Sequence, residues 1–296
     1  MGWTNFHSHS HYCDGSHAPE SYITEAIQRG FVAWGMSSHA PLPFETSWNM
    51  SSEDLARYHN EGLSLKRAHE ENIAVSIGLE VDYIPHVTGC HLFRDGDLMF
   101  DYLIGSVHFV DSFPDGTPWE IDGRHQLFLD GLNQLFGGDV QKAVERYFEL
   151  TRRMVNEDPP NLVGHLDKIR IQSENGLLFS GEEPWYREAV MTTLECIREQ
   201  DLIVEVNTRG VYKGMVKEPY PQRWVLKEML KMGIRMTLSS DAHHPREGNG
   251  SFPETAQLLR EIGYREMCVL HQGAWIPCQF DRWGVRIPGG AALIRV

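Results

Sequence analysis

The chain has 296 residues, of which 41% are hydrophobic, 10% aromatic and 23% charged; this allows a large core and excludes a disordered or fibrous protein. A net charge of -14 without any block of lysines or arginines argues against a broad nucleic-acid footprint. There is neither a run of about 18 apolar residues nor a basic-then-apolar leader, so no membrane association is expected, and a cytoplasmic location is. Five cysteines, Cys13, Cys90, Cys196, Cys268 and Cys278, are odd in number and lack C-x-x-C spacing, which disfavours a disulfide framework or a thiolate zinc site. The unusual component is 15 histidines.

Strand and helix patterns take turns along the chain. Short apolar stretches rich in β-branched residues predict strands at Trp3–His7, Phe31–Ser37, Ala74–Val81, Tyr102–His108, Leu162–Gly164, Leu202–Asn207, Arg235–Ser239 and Met267–Leu270. Helices are predicted between them at Pro19–Arg29, Ser51–Asn72, Asp139–Asn156, Pro184–Gln200, Pro219–Met232 and Pro253–Ile262, several opening with proline or with Ser/Asp. Repeated strand–helix units imply parallel strands covered by helices, and roughly seven or eight of them imply a closed α/β barrel. With no repeat and no low-complexity linker, residues 1–296 read as one barrel domain. Long insertions interrupt it at 84–100 and 111–137, and 281–296 reads as an appended tail.

The histidines fall where the predicted strands end, which is where an α/β barrel carries its reactive groups. His7 and His9 follow the first strand in "NFHSHSHYCDG"; alternate residues of a strand face the same way, which suits convergence on an ion. His39 follows the second strand, Glu80 lies near the end of the third, His108 ends the fourth and His165 the fifth, while Asp241 and His243 follow the seventh. Taken singly, His39 or His165 reads as an ordinary hydrogen-bonded residue, Glu80 as a solvated acid and Asp241 as a turn former. Their joint placement points to a metal site. His59 and His69 read as solvated, His86, His91 and His125 belong to the insertions, and His11, His17 and His244 neighbour the proposed site.

Six motifs carry a family resemblance: "HSHSHYCDG", "SSH", "GLE", "SVHF", "GHLDKIR" and "SSDAH". In this order they resemble those of the PHP (polymerase and histidinol phosphatase) superfamily, and "GHLDKIR", "VEVNTRGVYKG" and "LSSDAHHP" are most similar to its histidinol-phosphate phosphatase branch. The resemblance covers residues 3 to about 265. It implies a distorted (β/α)7 TIM-like barrel whose strand ends hold three divalent metal ions. The implied ligands are His7, His9, Asp14, His39, Glu80, His108, His165, Asp241 and His243, with Asp14 brought back by the turn at Gly15. Imidazole and carboxylate ligands suit zinc, iron or manganese.

The reaction implied is metal-assisted hydrolysis of a small phosphate monoester, L-histidinol phosphate, with Asp241 and His243 as candidates for handing a proton to the leaving oxygen. Three divalent ions against Asp14, Glu80 and Asp241 leave a formal positive excess that holds the phosphate. Arg170 and Arg209 resemble the family's phosphate-contacting arginines, and Lys168 is an alternative to Arg170. Another small monoester or a nucleotide is the competing substrate class.

Overall fold

Seven of the eight predicted strands belong to a single parallel sheet in the computed structural model, which describes residues 1–288. In chain order, β1 (Thr4–Asn5), β2 (Ala33–Met36), β3 (Ala74–Asp82) and β4 (Tyr102–Ser106) precede an antiparallel hairpin, β5 (Phe109–Ser112) and β6 (Pro118–Glu120). The sheet resumes with β7 (Leu162–Val163), β8 (Ile203–Asn207) and β9 (Arg235–Ser239), giving the order β1-β2-β3-β4-β7-β8-β9 with every pair parallel. Just past the strand ends the two edges meet. The His9 amide donates to the Ala242 carbonyl at 2.8 Å, and the Ala242 amide to the His7 carbonyl at 3.2 Å. The result is a nearly closed seven-stranded α/β barrel.

Its helices are α1 (Pro19–Gln28), α2 (Leu55–Ala68), α3 (His91–Arg94), α4 (His125–Phe136), α5 (Val140–Glu157), α6 (Pro184–Glu199), α7 (Arg209–Tyr212), α8 (Arg223–Met232) and α9 (Phe252–Ile262). Helix α5 shows why they form where they do. The Asp139 carboxylate caps its first turn by accepting from the Lys142 amide, and Ala143, Val144, Tyr147, Phe148, Thr151, Met154 and Val155 bury one face at helical spacing. The predicted helix from Pro219 starts later, at Arg223, because Asn207 and Tyr220 exchange backbone hydrogen bonds and hold that stretch extended beside β8.

The barrel interior is filled by aromatic side chains. The Tyr102 hydroxyl donates to the Phe6 carbonyl at 2.7 Å, and a Cβ on Gly35 would collide with that hydroxyl. Trp275 packs edge-on against both Phe6 and Tyr102, with ring centroids 5.0 and 6.0 Å apart. It arrives on the eighth predicted strand's partner. That strand, β10 (Glu266–His271), is not part of the barrel; Gln272 and Gly273, both at positive φ, turn the chain directly back into β11 (Ala274–Asp281), which pairs in turn with β12 (Gly284–Arg286). Of the expected tail, Asp281 therefore ends a strand and Val285 donates to the Gly2 carbonyl at 2.8 Å, whereas 289–296 lie outside the described residues.

Candidate metal centre

All nine expected ligands gather at the rim formed by the C-terminal strand ends, the side on which α/β barrels carry their chemistry. Three overlapping groups arise there: His9, Asp14, His39 and His243; His7, His9 and Asp241; His39, Glu80 and His108. Within each group the donor atoms lie within 4.8 Å of one another. His9 and His39 each serve two groups, so the three are continuous. His165 adjoins the last, its Nε2 2.9 Å from Glu80 Oε1 and 3.3 Å from His108 Nε2.

Local structure explains the convergence. After β1 the chain turns over residues 11–14, which leaves His11 exposed and returns Asp14 to the site. Gly15 makes this possible, because a Cβ there would collide with the His9 carbonyl. Asp14 Oδ2 then lies 3.1 Å from His243 Nε2. Asp241 has φ 52°, a left-handed conformation that aspartate tolerates better than most residues.

Two carboxylates set the orientation of two of the rings. Glu205 Oε1 is 2.6 Å from His7 Nδ1, and Asp82 Oδ1 is 2.8 Å from His108 Nδ1. An ionised carboxylate only accepts, so each Nδ1 carries the proton and each neutral ring turns a bare Nε2 inward. Yet His7 Nε2, His9 Nε2 and His39 Nδ1 are buried without a hydrogen-bond partner, while oxygens of Glu80 or Asp241 stand 3.1 Å away. A nitrogen lone pair facing a carboxylate in a buried site is unfavourable alone and is resolved by a shared cation. The residues present fit divalent metals on that ground.

Without a cation, protons take that part. Burial lowers the His7 pKa, but Glu205, Asp241 and Glu80 outweigh it and the net shift is upward. For His108, burial is overcome chiefly by Asp82, raising it to about 9. Burial dominates for His9 and His39, lowered to about 4 and about 3. Against their own burial, Glu80 and Asp241 are held well below the usual carboxylate range, Glu80 mainly by His7 and His39 and Asp241 mainly by His7 and His9.

The rim opens into a cleft of about 220 Å³. Two cations line it. Arg209, at the start of α7, donates from Nη1 to the Asp241 carbonyl at 2.9 Å and lies 2.7 Å from His243 Nδ1. Lys168 is bound to Asp122 at 2.7 Å, with its Nζ 3.4 Å from His108 Nε2. Arg170, expected beside Arg209 at the phosphate, is not among the residues that line this cleft. Its guanidinium is held by Asp167 Oδ2 at 2.8 Å and the Pro219 carbonyl at 2.9 Å. The two basic residues sit in a 3₁₀ helix, Lys168–Gly176, where side chains two apart point to different sides, so only one of them faces the cleft.

Sequence reading missed several members of the site. Asp82 and Glu205 were detectable as acids inside apolar strands, where a charge must find a partner. Asp122 and Trp48 reach the cleft from loops and Glu120 from the end of β6, and none of them gave such a signal. His59, read as solvated, is instead buried on α2, its Nε2 2.9 Å from the Met99 carbonyl.

Comparison with known proteins agrees with this geometry. The chain is 27% identical over 282 residues to a probable histidinol-phosphatase of Schizosaccharomyces pombe, covering 90% of this chain and 89% of that protein. It is 26% identical over 277 residues to a probable histidinol-phosphatase of Deinococcus radiodurans, covering 92% and 98%. The fold is similar to that of histidinol phosphate phosphatase from Lactococcus lactis subsp. lactis, whose crystal structure is a complex with zinc, L-histidinol and phosphate. There the TM-score is 0.71 at 22% identity, over 96% of this chain and 99% of that one. The pattern of the PHP domain family matches residues 5–209, more than two thirds of the sequence, and the chain belongs to the PHP domain family.

Proposed function

We propose that this chain is a metal-dependent histidinol-phosphatase, which hydrolyses L-histidinol phosphate to L-histidinol and phosphate as a step of histidine biosynthesis. Relatives carrying that name match it over most of both chains. The observation that carries the chemistry is the set of buried nitrogens facing carboxylates at the barrel rim, flanked by Lys168 and Arg209. In this reading His7, His9, Asp14, His39, Glu80, His108, His165, Asp241 and His243 hold three divalent ions of zinc, iron or manganese.

Bound divalent ions supply Lewis acidity and a lowered water pKa, so that a nucleophile exists at neutral pH. The chain supplies the rest. Glu205 and Asp82 lock the His7 and His108 rings with Nε2 inward. Asn207 orients the Arg209 loop: its Oδ1 accepts from the Arg209 amide at 2.9 Å and its Nδ2 donates to Asp241 Oδ2 at 3.2 Å. Arg209 and Lys168 give the phosphate its fixed cationic partners, in place of the Arg170–Arg209 pair. Asp241 and His243, both lining the cleft, relay a proton from the attacking water to the leaving oxygen.

A substrate panel run separately with Mn, Fe and Zn tests this reading. The kcat/KM for L-histidinol phosphate should exceed that for other monoesters by about tenfold or more. A flat panel would reject the substrate, and protein purified without chelator yet free of metal by elemental analysis would reject the mechanism.

A further inference from the structure

The insertion at 111–137 interrupts the strand–helix rhythm, and its first part returns to the cleft. After His108, β5 runs outward and β6 runs back, so that Glu120 is paired in register with Phe109. The Ile121 amide donates to the His108 carbonyl at 2.9 Å, which ties the returning strand to the metal-site loop. Glu120, the last residue of β6, and Asp122, in the bend that follows it, both line the cleft.

The two acids are not equivalent. Asp122 is engaged by Lys168. Glu120 forms no ion pair among the described residues, and its carboxyl pKa is raised by burial and by the neighbouring Asp122 charge. Trp48 shares this side of the cleft. Its indole stacks on Phe109, with centroids 5.6 Å and planes 13° apart, and meets His39 and His108 edge-on at 4.5 and 5.4 Å. A half-buried carboxylate without a counter-ion, beside a fixed aromatic plate and opening on a phosphatase cleft, suits an organic cation. L-Histidinol phosphate offers a phosphate at one end and an ammonium and an imidazole at the other.

We propose that Glu120, with Trp48 as its aromatic neighbour, binds the positively charged amino group of the substrate's alcohol half and so selects cation-bearing phosphate monoesters. This inference rests on the phosphatase reading above and assigns a specificity role to the hairpin. Charge neutralisation without loss of volume tests it, through the ratio of kcat/KM for L-histidinol phosphate to that for p-nitrophenyl phosphate. In E120Q the ratio should fall about tenfold or more, mostly through KM of the charged substrate. A ratio within about twofold of wild type would overturn the proposal, whether both activities fall together or neither does. E120D, which keeps the charge, should recover part of the ratio, and failure to do so would also count against it. O-Phosphoethanolamine separates the two readings. If wild type prefers it to L-histidinol phosphate and E120Q lowers the kcat/KM of both against p-nitrophenyl phosphate, Glu120 stands and the histidinol assignment falls. If wild type prefers L-histidinol phosphate and E120Q leaves both unchanged against p-nitrophenyl phosphate, Glu120 alone falls.

Discussion

On the floor of the cleft most of the reactive side chains sit within a few residues of a barrel strand end, and several are tied to a further buried group. His7 leans on Glu205, His108 on Asp82, and Glu80 on Ser106 at 2.7 Å. On the outer wall, Trp48, Glu120 and Asp122 come from connections between barrel strands, Asp122 tied to Lys168 and Trp48 stacked on Phe109. The difference separates two tasks. Chemistry common to a family needs donors placed to within fractions of an ångström, which a closed barrel supplies. Selection among monoesters needs only a charge and a flat surface, which a hairpin can change without disturbing the barrel.

If the floor depends on its supporting carboxylates, Glu205→Gln should be costly although it removes only a charge. The amide is nearly isosteric, but its NH₂ group can face His7 Nδ1 and accept nothing, which favours the wrong tautomer. Glu205 Oε2 also accepts from the His165 amide at 2.9 Å, so the variant disturbs two ring-bearing loops together. Metal affinity, read by titration of chelator-stripped protein, should fall about 10- to 100-fold, with activity following. Unchanged metal affinity would place Glu205 among ordinary core hydrogen bonds.

How much was legible in the sequence follows the same division. The strand ends were visible because apolar runs stop at histidine or acid, so the residues that gather on the floor could be named before the fold was known. His11 shows the limit: strict alternation groups it with His7 and His9, but β1 ends at Asn5 and the turn leaves it exposed. The wall was illegible because "DSFPDGTPWEID" has loop composition, and only tertiary pairing of Glu120 with Phe109 brings it back to the cleft. Arg170 lies off the cleft lining while Lys168 is on it, because turn geometry, which a motif does not carry, decides which of two basic residues points inward.

That placement yields a second, smaller contrast. Lys168→Met should raise KM for phosphate monoesters and weaken product phosphate inhibition by about tenfold, the loss of one charged contact in a shielded site. Arg170→Met should leave kcat/KM near wild type and instead lower the melting temperature. It strands Asp167, whose side chain is fully buried, with the Gln222 amide at 3.0 Å as its remaining polar partner. Reversed outcomes, with Arg170→Met losing phosphate affinity and Lys168→Met losing only stability, would restore the arginine to the clamp.

The smallest expected effect tests whether the floor stays charged when its metals are removed. His7 and His108 have raised folded pKa values, His108 to about 9. The stability they contribute is complete below the unfolded value of about 6.5 and is lost as pH rises toward 9. His9 and His39, lowered to about 4 and about 3, act in the other direction. Unfolding lets them take up protons, so they reduce stability as pH falls below about 6.5. Glu80 and Asp241, held low, add to the loss at acid pH, below about 4.5. Metal-free protein should therefore melt highest near pH 6.5 and several degrees lower by pH 9. The wall should not contribute, since Asp122 is held below and Lys168 above this range, each by the other's charge working against burial. Metal-loaded protein, whose rings have already given up the competing protons, should show little change over the same interval. A metal-free melting temperature that is flat from pH 6.5 to 9 would mean that His7 and His108 are neutral, and that the empty floor is held by something other than shared protons.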